Sequence, residues 1–277
     1  MKIISILILS TFCMGVVKAG QELQFSKLYA ELLIKYRRPP MDIKGVRTVV
    51  FDFKTLAEDA KAEDSLFSRT LHAFEQTDPT TFKTPNDEKA FWINAYNLSA
   101  MKLVIEHYPI KSIRDAKVSK NGYPWSKPLL GINSSRLSLE GIEQEKLLKR
   151  FKDPRIVFAV NCATLSCPDL PAVPFNGDTI DTQLDALMRD FLSNTTKGLR
   201  INRETGAIQM SWIFDKHKDL VNEEFNGFDG VVHRYLDEAT CAWFEQHQKH
   251  ITVTYIDHDW MLNDTALATP ATTPATK

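Results

Sequence analysis

The stretch DEKAFWINAYNLSAMKLVIEH, residues 87–107, predicts a long helix. Capping residues precede it at 84–86, and Tyr108-Pro109 ends it. Outward from this helix, apolar periodicity interrupted by breaking residues predicts further helices at 24–37, 56–76, 138–151, 179–192, 212–222 and 229–247. Runs of β-branched and other apolar residues predict short strands at 46–53, 156–160, 199–201, 207–210 and 250–257, with hairpin turns at Asn133-Ser134 and 202–206.

Helices outnumber these short, scattered strands, and neither an internal repeat nor a linker interrupts residues 24–263. We therefore predict a single α+β domain over 24–263, with many helices and with short strands in a small mixed or antiparallel sheet. The last residues, 264–277, are rich in Thr, Ala and Pro and are predicted to form a disordered tail.

Charge and the N-terminal pattern narrow the class of protein. The 277 residues carry 34 basic and 35 acidic side chains, so the basic excess typical of nucleic-acid-binding proteins is lacking. Residues 1–19 combine Lys2, an apolar run of about 15 residues and small residues before a cleavage point after Ala19, which is the pattern of a signal peptide. We expect a secreted protein, periplasmic in a Gram-negative host, without stable membrane insertion after cleavage.

The amides of Asn94 and Asn97 are the first candidate binding groups. The two residues are three positions apart on the predicted helix, so both amides point to a similar side, next to the aromatic side chain of Trp92. They either line a polar pocket or hydrogen-bond the backbone of the loop at 161–168. Both interpretations place the helix beside that loop.

That loop lies in VFAVNCATLSCP, residues 157–168, and holds the candidate nucleophile. Cys162 follows the predicted strand 156–160, at the kind of edge where ligands bind, and a neighbouring base could activate its thiol. Asn161, with the amides of the two residues after Cys162, could form an oxyanion hole. A buried structural thiol and a disulfide with Cys167 remain open alternatives.

The Cys-x4-Cys spacing is looser than that of structural zinc sites, so we predict neither a metal nor a cofactor. Among the histidines, His258 is the first candidate base because it has flanking carboxylates and ends a predicted strand. Strand alternation turns Asp257 and Asp259 away from it, which weakens a simple triad. His217 is the next candidate. We also expect Asp259 to pair with Arg155, since both flank strands near the site.

Several stretches together resemble the family catalogued as domain of unknown function 547, found in exported bacterial and in plant proteins. In order, the matching motifs are AFWINAYN at 90–97, Tyr108-Pro109 with Ser112-Ile113, Leu137-Ser138-Leu139 with Ile142-Glu143, Asp153–Ile156, Phe158-Ala159, Asn161-Cys162-Ala163, Ser166-Cys167-Pro168, Gln183-Leu184-Asp185, Ser211–Phe214, and Asp259-Trp260 with Leu262-Asn263. The resemblance spans about residues 46–263 and implies no settled activity.

Three positions depart from the pattern of that family. The resemblance implies histidine where Val157 stands, often histidine or asparagine where Gln144 stands, and tyrosine where His258 stands. If a histidine at the first position serves chemistry in relatives, this chain lacks it.

Three functional hypotheses follow. In the leading one, Cys162 is the nucleophile of a hydrolase or acyl-transfer enzyme. In the second, the protein is a non-catalytic binding module whose Asn-rich pocket holds a small polar ligand or a peptide. A thiol-redox role of Cys162 with Cys167 is the third, and its spacing is less typical of dithiol exchange.

Overall fold

The computed structural model describes residues 24–132 and 135–268, and the α+β class predicted from the sequence is confirmed. The α-helices are, in chain order, α1 (24–36), α2 (Phe53–Asp59), α3 (Leu66–Gln76), α4 (Pro85–Ile105), α5 (Leu139–Gly141), α6 (Lys149–Phe151), α7 (Ile180–Ser193), α8 (Trp212–Lys216), α9 (Lys218–Phe225), α10 (Gly227–Tyr235) and α11 (Glu238–His247). A π-helical stretch, Ile142–Leu148, joins α5 to α6. Short 3-10 turns occupy Pro79–Thr81, Pro154–Phe158, Gln248–His250 and Thr265–Leu267.

The strands form three small sheets rather than one. Two are antiparallel hairpins and the third is mixed, with β5 antiparallel and β7 parallel to the central β6. The strands are β1 (Arg37–Ile43), β2 (Val46–Phe51), β3 (Pro128–Ile132), β4 (Ser135–Ser138), β5 (Leu199–Asn202), β6 (Ala207–Ser211) and β7 (Thr252–Ile256). The turn predicted at Asn133-Ser134 lies outside the described residues, but the β3–β4 pairing that it was predicted to join is present.

Helix α4 is the core element of the domain. Fifteen of its 21 residues are buried, on all sides of the helix, as expected for a helix enclosed by other elements. Its start is fixed by a capping box, in which the Asp87 N–H donates to Thr84 Oγ1 and the Thr84 N–H donates to Asp87 Oδ2, each at 3.1 Å. The helix predicted from residues 87–107 is thus confirmed.

The predicted strand at 156–160 is wrong, because this segment forms the 3-10 turn Pro154–Phe158 and then irregular chain. Asp153 caps the turn by accepting the Arg155 N–H at 3.1 Å, and Pro154 occupies its first position. A short, fully buried apolar run shows the same sequence pattern in a strand and in a buried helical turn, which explains the error. Cys162 therefore does not follow a strand.

The C-terminal end of the predicted domain also needs correction. Asp264 is buried and forms a β-bridge with Phe51, and Thr265–Leu267 forms a turn, so residues 264–268 belong to the fold and not to a tail. The proposed signal peptide and residues 269–277 lie outside the described residues.

None of the helices in the described part of the chain is long and apolar enough to cross a membrane.

One amide of α4 connects the core to the cysteine loop. Asn97 Oδ1 accepts the N–H of Asn161 at 2.7 Å, and Asn97 Nδ2 donates to the carbonyl of Ala159 at 3.1 Å. On its other side the loop pairs with the C-terminal segment, where the Leu165 N–H donates to the Met261 carbonyl at 2.8 Å. The prediction that α4 lies beside the loop is confirmed at Asn97.

Replacing Asn97 with alanine should destabilise the domain. Asn97→Ala leaves a carbonyl and an N–H buried without their partners, so the free energy of unfolding should fall by about 2–4 kcal/mol. Urea unfolding followed by circular dichroism measures this change. Asn222→Ala, at an exposed position of α9, is the matched control and should change it by less than about 0.5 kcal/mol. Equally small changes in both variants would contradict the anchoring role of Asn97.

Candidate active site

The cysteine loop brings two sulfur atoms into contact. Cys162 Sγ and Cys167 Sγ lie 2.7 Å apart as free thiols, and the two residues are only 7% and 3% exposed. Ala163, with φ of +64°, turns the chain back, and the Cys162 N–H donates to Cys167 Sγ at 3.2 Å. A left-handed conformation is uncommon for a residue with a Cβ, and such strain is typical of functional loops.

Asn161 holds the loop closed instead of facing a substrate. Its Oδ1 accepts the Ala163 N–H at 2.6 Å, and its Nδ2 donates to the Pro168 carbonyl at 2.6 Å. Of the three groups expected to form an oxyanion hole, Asn161 and the Ala163 amide already bind within the loop, which leaves the Thr164 amide.

Thr164 links the sulfur pair to His258. The Thr164 hydroxyl donates to Cys167 Sγ at 3.1 Å, and the same oxygen lies 2.9 Å from His258 Nε2. Because the single hydroxyl proton points to sulfur, Nε2 carries the proton in its hydrogen bond to Thr164. The His258 ring packs 4.1 Å from that of Trp260, and its buried Nδ1 has no hydrogen-bond partner among the described residues.

The two thiols are electrostatically unequal. The hydrogen bond that it donates to Cys167, together with burial, raises the pKa of Cys162 well above its ordinary value. Burial alone would also raise the pKa of Cys167, but interactions with Cys162, His258 and Thr164 outweigh burial and lower this pKa well below its ordinary value. Cys167, and not Cys162, is therefore the residue set up to be the thiolate.

A buried lysine fixes the position of Cys167. Lys197 is 2% exposed, and its ammonium donates to the Cys167 carbonyl at 2.7 Å, to Thr48 Oγ1 at 2.8 Å and to Asp169 Oδ1 at 2.7 Å. All three protons are used, as a buried ammonium requires. Nothing in the local pattern around Lys197 indicated this contact, because its partners come from distant parts of the chain.

Both sulfurs line a cavity of about 290 Å³. The exposed lining is mostly apolar and includes the rings of Tyr96, Tyr123, Trp125, Trp212 and Trp260. Charged groups line it too: the guanidinium of Arg114 lies 5.0 Å from the centre of the Trp260 ring, the ammonium of Lys216 lies 6.0 Å from that of Trp212, and the carboxylates of Glu140 and Glu143 are also present. A cavity with a mostly apolar lining and some polar groups is a typical small-molecule site.

The three departures from the family pattern meet in this cavity. Val157, Gln144 and His258 all line it together with the cysteine pair. Of these three residues, His258 carries an imidazole, whereas Val157 and Gln144 do not.

His217 lines the same cavity but is a poor acid–base group. Burial, with a contribution from the charge of Lys216, lowers its pKa to about 3. The adjacent buried carboxylate of Glu143 accepts a hydrogen bond from Lys216 at 3.0 Å. His258, whose ring contacts Thr164 in the loop that holds Cys167, is better placed than His217 to exchange a proton at the sulfur pair.

The remaining predicted site residues lie elsewhere. Asn94 exchanges hydrogen bonds with the backbone of Phe175 at 2.9 and 3.0 Å, and neither it nor Asn97 lines the cavity. Trp92 is buried on α4, with the ammonium of Lys146 lying 5.4 Å from the centre of its ring.

The expected ion pair between Arg155 and Asp259 is wrong. Arg155 instead binds three carboxylates, those of Asp153, Asp181 and Asp185. Asp259 Oδ1 accepts the N–H of Met261 at 2.9 Å.

Among the described residues, Cys162, Cys167 and His258 form a group that could hold a metal, with ligand atoms all within 4.8 Å of one another. Two sulfurs bound to one tetrahedral zinc, at the usual bond length, would lie about 3.7 Å apart. The observed separation of 2.7 Å is shorter than that of such a chelate.

Residues 80–192 match the family model described as Protein of unknown function, DUF547. This segment is therefore similar to that family, as its motifs indicated, and it contains α4, the cysteine loop and nearly all of α7. His258 lies outside it. No curated protein and no solved structure matches the chain.

Alkylation should separate Cys162, Cys167 and Cys241 by the pH dependence of their reaction rates. Because the pKa of Cys167 is depressed, its thiolate persists as pH falls below the ordinary thiol range, and iodoacetamide should still modify it there. Burial raises the pKa of Cys241, so this thiol should stop reacting at higher pH. Mass spectrometry of the modified peptides gives each rate. His258→Ala should move the Cys167 midpoint upward. If the alkylation rates of all three thiols had the same pH dependence, the assignment of Cys167 as the thiol with the depressed pKa would be contradicted.

Proposed function

We propose that the protein is an exported thiol-dependent enzyme that catalyses acyl transfer or hydrolysis, with Cys167 as its nucleophile. The observation that carries this proposal is the set of donors to Cys167 Sγ, which include the Cys162 N–H and the Thr164 hydroxyl, at an accessible cavity wall. A buried sulfur that accepts several hydrogen bonds is stabilised as the anion, which is the nucleophilic form. The nucleophile thus moves from Cys162, the residue favoured by sequence, to Cys167.

The chemistry requires a proton at the leaving group. The Cys167 thiolate adds to the carbonyl carbon of an ester or thioester, and the carbonyl oxygen takes up the negative charge. As the tetrahedral intermediate collapses, the bond to the leaving alcohol or thiol breaks, and this group takes a proton from His258, directly or through the Thr164 hydroxyl. His258 enters this step as the imidazolium partner of the Cys167 thiolate and leaves it as the neutral imidazole. Water, or another acceptor, then attacks the acyl group on Cys167, returns a proton to His258 and frees the thiolate.

The shape and lining of the cavity indicate the substrate class. Tryptophan and tyrosine walls favour a flat or branched apolar acyl group. Arg114 and Lys216 place polar donors at the same cavity, where they suit a small polar or peptide-like leaving group.

Export is part of the proposal and is supported by the signal-peptide pattern of residues 1–19. In an oxidising compartment, a nucleophilic thiol has to be protected from irreversible oxidation, and its burial in a narrow cavity provides protection.

A binding module is the second candidate function, favoured by the aromatic cavity itself. The asparagines first expected to line such a pocket are engaged with backbone, so the ligand would instead pack against Trp125, Trp212 and Trp260.

Hydrolysis of p-nitrophenyl esters and of thioesters with aromatic and aliphatic acyl groups tests the catalytic proposal. Cys167→Ala should abolish turnover, and His258→Ala should lower kcat/KM by about 10²–10⁴-fold through loss of acid–base catalysis. Cys162→Ser should retain measurable turnover because the serine hydroxyl can still donate to Cys167.

Cys241→Ser is the matched control, since Cys241 lies on α11 and does not line the cavity. It should behave as the unmodified protein does. Full activity in Cys167→Ala would overturn the catalytic proposal. The binding module would be favoured if the unmodified protein did not turn over these acyl compounds and both it and Cys167→Ala bound them tightly.

A further inference from the structure

We infer that Cys162 and Cys167 are a redox-active pair that exchanges with low-molecular-weight disulfides, forming and breaking a disulfide across the cavity wall. This second activity uses both sulfurs and does not depend on the proposed acyl chemistry, which needs only Cys167 and His258.

The sulfur positions carry the inference. The two Sγ atoms are 2.7 Å apart, so they need to approach by only about 0.7 Å to reach the length of a disulfide bond. The backbone on both sides is held by bonds outside the pair, since Asn97 binds Asn161 and Lys197 binds the Cys167 carbonyl. The loop therefore keeps the sulfurs together in the reduced protein, and oxidation requires little movement.

The two sulfurs are suited to different roles. Cys167 accepts hydrogen bonds from the Cys162 N–H and the Thr164 hydroxyl, so it is the sulfur that attacks. Cys162, the thiol in contact with it, is the sulfur that resolves the mixed disulfide. This division between an attacking thiolate and a buried resolving thiol is how dithiol oxidoreductases work, although their cysteines are usually two residues apart.

The exchange balances without a metal or cofactor. The Cys167 thiolate attacks one sulfur of a disulfide RSSR, the S–S bond breaks, and one RS⁻ leaves. Cys162 then loses its proton and attacks Cys167 Sγ, and the second RS⁻ leaves. The two RS⁻ groups take up two protons, one from the Cys162 thiol and one from solvent. Two protein thiols are oxidised to one disulfide while RSSR is reduced to two RSH, and excess RSH reverses both steps.

Access to the pair limits the partner to a small molecule. Both cysteines are more than nine-tenths buried, and they are reached through a cavity of about 290 Å³ with aromatic walls. A disulfide within a folded protein cannot reach that space, whereas one end of a free disulfide of small thiols can enter it.

The loop that the bond would close is short, so the bond adds little stability through chain entropy. Stabilisation of the Cys167 thiolate favours the reduced form further, and both effects make the disulfide easy to reduce.

Oxidised glutathione is the probe for the test. The reduced full-length protein, in a chelator, is incubated with increasing ratios of oxidised to reduced glutathione, quenched in acid and labelled with N-ethylmaleimide. Peptide mass spectrometry should show a Cys162–Cys167 disulfide that forms and disappears with the ratio, in the unmodified protein and in the Cys241→Ser control. Cys162→Ser should accumulate a glutathione adduct on Cys167. Cys167→Ser should react at least about ten-fold more slowly, because the remaining thiol is protonated.

Each other outcome overturns the inference. Glutathione adducts that persist on Cys167 in the unmodified protein would show that Cys162 does not resolve them. A disulfide that excess reduced glutathione cannot open would be structural, and two thiols that stay free at every ratio would be inert. Ester hydrolysis measured on the unmodified protein separates the two proposals. Turnover without disulfide formation supports the acyl chemistry alone, and a reversible disulfide without turnover supports the exchange alone.

Discussion

The side-chain amide of Asn97 is the contact on which the site depends. Helix α4 is buried on every side, so each polar side chain that it carries needs a partner inside the protein. Asn97 finds its partners in the backbone at Ala159 and Asn161, and Asn94 finds its partner at Phe175. The irregular segment between 159 and 175 is therefore tied at both ends to the same buried helix. A loop held in this way can keep Ala163 in a left-handed conformation and the two sulfurs in contact.

Charge is buried around this loop in a consistent way. Arg155 joins the turn before the loop to α7 through Asp181 and Asp185, and Lys197 joins the loop to β2 through Thr48. Both cations have close anionic or carbonyl partners, which offset the cost of removing them from water. Removing a partner of Arg155 or Lys197 would leave its buried charge without part of its compensation. These contacts therefore specify the conformation of the loop more than they add net stability.

The sequence predicted those elements that are determined by neighbouring residues. It did not predict the features that are determined by contacts between distant parts of the chain. Helices α4 and α7 and the β5–β6 hairpin follow from capping, periodicity and turn residues that lie next to one another. Residues 156–160 do not, because burial on all sides erases the periodicity that separates a strand from a 3-10 turn. The proposal of Cys167 in place of Cys162 could not be made from the sequence for the same reason. It depends on which sulfur receives the Thr164 hydroxyl, and that contact appears only when the loop folds back.

The positions that depart from the family pattern give the site its particular character. Val157, Gln144 and His258 are far apart in the chain and yet line one cavity with the cysteine pair. The resemblance implies histidine at Val157 and often histidine or asparagine at Gln144, and His258 supplies an imidazole from the C-terminal segment. This imidazole lies where Thr164 contacts Cys167. The reactivity proposed for the site rests on how the protein divides one proton between Cys162 and Cys167.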